Sequence, residues 1–195
     1  MSLSVSNRLT RIRPSATGAV LSKATALKRE GVDIISFGAG EPDFDTPEPI
    51  REAAIAAINA GKTRYTPVEG SAELKAAIAT KFRRDNGLEF SPSELLVSGG
   101  AKQSLFNLCM ALLGPDDEAV ISAPYWVSYP EMIRLADATP SIISTGMTAG
   151  FKITPEQLEK ALNQRSRLLI INSPGNPTGA AYTAAELRAL GRVLE

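Results

Sequence analysis

Residues 168–179 read LLIINSPGNPTG, a short apolar run that leads directly into a loop with two prolines and two glycines. An apolar run of this length, bounded by turn residues, is typical of a buried β-strand. Sheets with helices between their strands bind ligands beyond the strand ends, and this loop offers the side-chain amide of Asn176 there. Taken alone, the segment is also consistent with an ordinary turn, in which the bond between Asn176 and Pro177 could be cis.

Two further loops follow short apolar runs in the same way. In Leu95–Gln103, LLVSGGAKQ, small residues precede an amphipathic helix, so backbone amides and the positive helix end could bind an oxyanion. The glycine spacing matches neither the Walker nor the dinucleotide-binding pattern, and a purely structural turn is the alternative. In Ala119–Pro130, AVISAPYWVSYP, the tryptophan Trp126 either packs into the core or covers one face of a planar ligand.

Outward from these loops, apolar runs alternate with segments of helical period, which predicts a layered α/β fold. The predicted strands are Val32–Phe37, Glu94–Ser98, Glu118–Ser122, Pro140–Ser144 and Leu168–Asn172. The predicted helices are Ser15–Glu30, Thr46–Gly61, Ser71–Arg84, Ala101–Leu113, Trp126–Ala136, Thr154–Leu162 and Thr183–Glu195. Thr46 is expected to cap the second helix, and Asn86 with Gly87 to end the third. Because no stop signal follows Thr183–Glu195, we expect the chain to end within a helix.

The overall composition argues against several functional classes. The chain has 195 residues, of which 44% are hydrophobic and 22% charged, so it can bury a globular core. Its 21 basic side chains balance 21 acidic ones, which disfavours nucleic acid and anionic membranes as partners. The absence of histidine removes Ser/His and Cys/His catalysis and leaves any metal site to carboxylates alone, so we expect no bound metal.

Cys109 and the apolar runs bear on the expected environment of the protein. Cys109 lies on the apolar face of a predicted helix, which predicts a packed thiol rather than a nucleophile. No uncharged apolar run reaches the length of a membrane span, and the first residues lack the apolar core of a signal sequence. We therefore expect a soluble cytoplasmic protein.

Five loop motifs occur together in the sequence: FGAGEPDFDTP at 37–47, RYTPVEG at 64–70, SGGAKQ at 98–103, PYWVSYPEM at 124–132 and NSPGNPTG at 172–179. In this order and spacing they resemble the motifs of class I (fold-type I) aminotransferases of the aspartate aminotransferase family, which depend on pyridoxal 5'-phosphate (PLP). The resemblance extends from about Ser15 to Glu195, roughly half of a family chain. It implies the type I fold of PLP-dependent transferases, with a three-layer α/β/α large domain. Residues 1–46 would form an N-terminal arm, a helix and a strand of the small domain, and residues 47–195 the first, incomplete part of the large PLP-binding domain.

The resemblance also implies which residues bind the cofactor. Trp126 matches the aromatic residue that stacks on the pyridine ring, and Asn176 matches the amide that donates to its phenolic oxygen. Gly100, Ala101 and Lys102 match the phosphate-binding turn, in agreement with the oxyanion site predicted from helix polarity. Tyr65 matches a tyrosine that reaches the phosphate of the neighbouring subunit, which implies a homodimer with shared active sites.

The substrate-binding residues implied by the resemblance are Gly40, Lys102, Trp126, Asn176, Ser15 and Thr17. Gly40 matches the backbone position that meets the α-carboxylate of the substrate. In one branch of the family, a lysine at the position of Lys102 meets the side-chain carboxylate of an acidic substrate, and the segment of Ser15 and Thr17 folds over it. The alternative for Lys102 is an ordinary solvated lysine near the start of a helix.

The function implied by the resemblance is the transfer of an amino group from aspartate or glutamate to a 2-oxo acid. The Schiff-base lysine of the family would lie beyond Glu195, so no catalytic residue is expected within this chain and the chain by itself is predicted to be inactive. One alternative is a truncated non-catalytic product or domain fragment. Another is a related PLP enzyme, such as an aromatic or alanine aminotransferase or a carbon-sulfur lyase.

Overall fold

The predicted alternation of strand and helix is present in the computed structural model, which describes residues 4–195. The first three residues of the predicted N-terminal arm lie outside the described residues. The α-helices are α1 (Ala16–Arg29), α2 (Glu48–Asn59), α3 (Ala72–Lys81), α4 (Ala101–Leu112), α5 (Ser128–Leu135), α6 (Pro155–Ala161) and α7 (Ala184–Leu194). The strands are β1 (Glu118–Ala123), β2 (Thr139–Ser144) and β3 (Ser166–Ile170).

The three strands form one parallel sheet in the order β2-β1-β3. The connection from β1 to β2 contains α5, and the connection from β2 to β3 contains α6, as parallel neighbours require. Since all three strands run the same way, their carboxyl ends at Ala123, Ser144 and Ile170 lie along one edge of the sheet. The segments that follow β1 and β3 therefore begin side by side.

Helices cover both faces of this sheet. On one face, Ile121 of β1 packs with Cys109 of α4 and Ile133 of α5. On the other face, Val120 packs with Leu158 of α6 and Leu190 of α7. Because successive side chains of a strand point to opposite faces, these two clusters lie on either side of β1 and make three layers. The predicted α/β/α arrangement is confirmed.

Two predicted strands are not strands in the structure. Val32–Phe37 has no regular structure, and Ile35 and Phe37 are 83% and 92% exposed. Glu94–Ser98 begins with the last residue of a 3-10 turn, Pro92–Glu94, and continues as extended chain in which the Val97 amide donates to Glu69 O at 2.9 Å. A strand needs a neighbour to pair with its backbone groups, and within residues 4–195 neither apolar segment has one.

The ends of two helices test the predicted capping. The prediction for Thr46 is wrong. Glu48 is the first helical residue, so the N-cap of α2 is Pro47, which makes no side-chain capping bond. Ser71 caps α3 by accepting from the Leu74 amide at 3.3 Å. The chain then continues through a π-helical turn, Phe82–Asn86, to Gly87, whose φ of 65° ends it as predicted.

The described residues form two compact units: residues 4–39 with Leu105–Glu195, and Gly40–Ser104. The first unit contains the sheet, and the second contains α2 and α3. The predicted domain boundary between residues 46 and 47 remains a prediction. No helix within residues 4–195 is long and apolar enough to cross a membrane.

Candidate active site

A narrow cleft lies at the carboxyl edge of the sheet, where the segments after β1 and β3 meet. Its lining includes Tyr125 after β1, Asn172, Asn176 and Tyr182 after β3, and Phe151 from the segment after β2. The enclosed volume is about 20 Å³, which is room for a single water molecule. A ring-sized ligand would therefore lie over this cleft rather than inside it.

The loop after β3 is held by its own hydrogen bonds. The backbone amide of Asn176 donates to Asn172 Oδ1 at 2.8 Å. The Gly175 amide donates to Ala180 O at 2.8 Å, and the Gly179 amide donates to Gly175 O at 2.7 Å. The Asn176–Pro177 bond is cis, as the sequence allowed. The three hydrogen bonds stabilise this backbone conformation, and Asn176 is exposed at the sheet edge.

Trp126 belongs to the segment after β1 and is partly buried. Its indole packs against the core cluster that contains Ile121 and Ile133, and meets the ring of Tyr129 edge to face, with centroids 5.5 Å apart. This agrees with the partial burial expected of a lone tryptophan. Trp126 does not line the narrow cleft, although its neighbour Tyr125 does.

A second, wider pocket of about 340 Å³ lies beside the same segment. Its lining includes Ser15, Tyr125 and Ser128 together with Arg13 and Arg134. Ser15 is the N-cap of α1 and accepts from the Gly18 amide at 3.2 Å, so its hydroxyl position is set by the helix start. Thr17 lies in the first turn of α1. The structure thus brings Ser15 close to the residues that flank Trp126.

The predicted oxyanion turn lies in the other unit, at the start of α4. Gly100 has a φ of 98°, a conformation that favours glycine. The Gly99 amide donates to Gln103 Oε1, and Ala101 begins the helix, so its amide has no acceptor within the helix. Ser98 Oγ is buried and has no hydrogen-bond partner within residues 4–195. Lys102, in the first turn, is exposed.

Gly40 and Tyr65 also lie in this second unit. Gly40 has open space around it, with no atom within 4 Å of where a side chain would begin. Tyr65 is fully exposed in the loop 63–68. Among residues 4–195, no cluster of three or more His, Cys, Asp or Glu side chains forms a candidate metal site.

An ion pair lies next to Phe151, which lines the cleft. Lys152 Nζ donates to Glu186 Oε1, and this bond, with a backbone bond from Thr183, lowers the pKa of Glu186 from 4.5 to about 2. Farther from the edge, burial raises the pKa of the Cys109 thiol, which is 1% exposed within the core. Cys109 is therefore a packing residue, as predicted.

Residues 32–195 match the family described as Aminotransferase class I and II. The chain belongs to this family. The aspartate/prephenate aminotransferases of Nitrosomonas europaea and Cereibacter sphaeroides are each 55% identical to it, over 98% and 97% of this chain and 48% of each relative. The structure of aspartate aminotransferase from Thermus thermophilus with maleate has a TM-score of 0.95 and 48% identity, over 98% of this chain and 50% of that one.

The chain spans about half the length of the curated relatives it matches. The matched structures confirm the predicted fold of PLP-dependent aspartate aminotransferases over that length. Members of the aspartate aminotransferase family use PLP as cofactor.

Two features of the chain fit that cofactor. At the start of α4, a buried Ser98 hydroxyl that has no hydrogen-bond partner among the described residues lies next to a glycine turn and the first amides of a helix, a chemistry that suits a phosphate. At the sheet edge, the exposed amide of Asn176 suits a ring oxygen. Within the first unit, the structure brings the loop of Asn176 and the segment of Trp126 to one edge.

Several residues around the cleft were not singled out from the sequence. Tyr125 lies within the motif PYWVSYPEM but was assigned no role. Tyr182 lies three residues after Gly179, the last residue of the motif NSPGNPTG. Nothing in the sequence indicated a role for Phe151. Its φ of 59°, which a phenylalanine rarely adopts, is imposed by the surrounding structure. In the second unit, the burial of the Ser98 hydroxyl was also visible only in three dimensions.

Proposed function

We propose that this chain is part of a PLP-dependent transaminase that moves an amino group from aspartate or glutamate to a 2-oxo acid. The observation that carries the proposal is the rigid loop that holds Asn176 exposed at the carboxyl end of β3, next to the segment of Trp126. The names of the relatives, aspartate/prephenate aminotransferase, support aspartate as donor and prephenate as one acceptor.

The residues of the chain divide the work of holding the cofactor. When bound, PLP withdraws electrons from the substrate Cα so that its proton can leave. Asn176 would donate its side-chain amide to the ring's phenolic oxygen, and Trp126 would cover one face of the ring. The turn of Gly100, Ala101 and Lys102 would bind the phosphate through backbone amides and the positive end of α4.

We further propose a site for a dicarboxylic substrate. Gly40 would meet the α-carboxylate through its backbone, and the ammonium of Lys102 would meet the side-chain carboxylate as a point charge. Ser15 and Thr17 would close over the substrate from the start of α1. The Thermus thermophilus enzyme was solved with maleate, a dicarboxylate, which supports this kind of substrate.

A cytoplasmic homodimer is also part of the proposal. The full exposure of Tyr65 supports it, because a tyrosine that serves a neighbouring subunit must project from its own. The mass of the full-length protein in light scattering tests the assembly, and a monomer that retains full activity would contradict it.

The reading frame after Glu195 is the first test of the proposed activity. We expect it to continue in frame to a lysine that bonds to the cofactor aldehyde, since the relatives are about twice as long. A stop codon directly after Glu195 would contradict the transaminase and leave a non-catalytic product.

Cofactor binding is the second test. In the full-length protein we expect Asn176→Ala to raise the Kd for PLP about 10-fold, the size of a lost hydrogen bond to a charged oxygen. Ser166→Ala is the control, because Ser166 Oγ accepts the Asn163 amide at 3.0 Å at the other end of β3. Equal Kd values for both variants would contradict the role of Asn176.

Reduction with borohydride tests whether the 195-residue chain by itself bonds covalently to PLP. The 195-residue chain mixed with PLP should show no adduct at one defined lysine, and a stoichiometric adduct would overturn the prediction that the chain by itself is inactive.

A further inference from the structure

Tyr182 joins the Asn176 loop to the segment after β2 within the first unit. Its backbone amide donates to Ser173 Oγ at 2.9 Å, which ties the far end of the loop to its beginning. Its hydroxyl accepts from the Ile153 amide at 2.8 Å, which ties the loop to the segment after β2. Tyr182 therefore closes the loop through its backbone amide and anchors it to a neighbouring segment through its hydroxyl.

The ring of Tyr182 has a fixed place from which to do this. It packs against the core cluster of Val120, Ile143 and Leu158, on the face of the sheet covered by α6 and α7. The ammonium of Lys152, paired with Glu186, lies 5.9 Å from the ring centroid. The ring that carries the hydroxyl is thus held by core packing and by the nearby ammonium, both outside the Asn176 loop.

The Ile153 amide belongs to a segment that also reaches the cleft. Phe151, two residues earlier, has a φ of 59° and lines the cleft with Asn176 and Tyr182. The left-handed conformation is unfavourable for a phenylalanine, so surrounding contacts must maintain it. The bond from Ile153 to Tyr182 is one such contact, and it fixes Phe151 and the Asn176 loop against each other.

We propose that Tyr182 is a positioning residue for Asn176. Through the closed loop 173–182, Tyr182 sets the direction of the side-chain amide of Asn176. The proposal rests on the proposed function, because it concerns the amide that meets the cofactor ring. Tyr182 itself does not touch the cofactor in this scheme. A residue that served only core stability would lower the melting temperature without changing how the ring is bound.

The test uses Tyr182→Phe in the full-length protein freed of cofactor. This variant keeps the ring and removes the acceptor of the Ile153 amide. We expect amide hydrogen exchange at Gly175, Gly179 and Ile153 to become about 5-fold faster, the effect of one weakened hydrogen bond. Ser166→Ala, which loses a comparable bond at the other end of β3, should leave these amides unchanged. Unchanged exchange in Tyr182→Phe would overturn the proposal.

Ligand affinities separate positioning from general stability. Tyr182→Phe should raise the Kd for PLP about 5-fold and leave the Kd for inorganic phosphate unchanged, because the phosphate turn is part of the other unit. Equal weakening of both ligands would mean a general loss of structure and would overturn the proposal.

The double variant Tyr182→Phe with Asn176→Ala distinguishes the proposed role of Tyr182 from that of Asn176. If Tyr182 acts through Asn176, Tyr182→Phe should have no further effect on PLP affinity in the Asn176→Ala background. Additive losses would overturn the role of Tyr182 and leave that of Asn176 intact. An Asn176→Ala variant with unchanged PLP affinity would instead contradict the proposed function.

Discussion

Single residues decide where the loops of this protein turn, and Gly70 shows this most directly. Gly70 has a φ of 107° at the end of the RYTPVEG motif, and its amide donates to Pro67 O at 3.0 Å. A β-carbon at this position would lie 2.7 Å from Val97 Cγ2. Both the backbone conformation and the close approach of Val97 therefore require glycine.

We expect Gly70→Ala to lower the free energy of unfolding by about 2–4 kcal/mol, from strain and overlap together. Gly61→Ala is the matched control, because Gly61 has a φ of 71° but nothing within 4 Å of its missing side chain. It should cost only about 1 kcal/mol. Urea denaturation of the full-length protein measures both, and equal losses would show that the contact with Val97 is unimportant.

Lys102 is the residue on which substrate choice depends in the proposed function. In the full-length enzyme, Lys102→Ala should lower kcat/KM for aspartate about 10- to 100-fold, the loss of one charged hydrogen bond. The value for an aromatic amino acid should change far less, because its ring offers no carboxylate. The exposed Lys160 of α6 supplies a control variant, Lys160→Ala. A similar loss for both substrates would refute the specificity role.

At the scale of elements, the start of α7 is the best-defined helix end near the cleft. Thr183 and Glu186 form a capping box, in which the Glu186 amide donates to Thr183 Oγ1 at 3.2 Å and the Thr183 amide donates to Glu186 Oε2 at 2.7 Å. Lys152 adds its ion pair to the same carboxylate. One carboxylate thus holds the first turn of α7 against the segment that carries Phe151.

The pKa of Glu186 makes this contact depend on pH. Because folding lowers that pKa from 4.5 to about 2, its stabilisation is complete above about pH 4.5 and is lost as the pH falls towards 2. We expect Glu186→Gln to reduce stability at pH 7 and to flatten the loss of stability over that window. Glu159→Gln, at an exposed position of α6, is the control in denaturation series at each pH. Parallel curves for wild type and Glu186→Gln would contradict the assignment.

At the scale of the whole molecule, the sheet is short and its outer strands are open. Within residues 4–195, β2 and β3 each pair only with β1. Large apolar side chains are also exposed, among them Ile35, Phe37 and Phe44 at 83%, 92% and 89%. Unpaired strand edges and exposed apolar side chains both favour association with other chains.

We therefore expect the 195-residue chain, purified by itself, to self-associate at micromolar concentration. Light scattering after size exclusion should give masses of several chains, and urea unfolding should be broad. A monomer that unfolds in one cooperative step would contradict this expectation.

The elements around the central strand were predictable because their signals are local. β1, α4 and α7 lie within one or two residues of their predicted bounds, since apolar period and flanking turn residues depend only on the neighbouring sequence. Val32–Phe37 and Glu94–Ser98 have the same apolar character and are not strands. Whether these two segments form strands depends on another strand lying beside them, and a local sequence pattern does not indicate that.

By itself, the sequence determined the layered α/β class, the five motif loops, the packed Cys109 and the family, because each of these follows from residue type at short spacing. Only the tertiary structure decided that Ser15 lies beside the segment of Trp126 and that Phe151 adopts a left-handed backbone. It also decided that the Ser98 hydroxyl is buried with no hydrogen-bond partner within residues 4–195, and that Tyr182 closes the Asn176 loop. These features join residues far apart in the chain, and their free energy arises from contacts that exist only once the layers have packed.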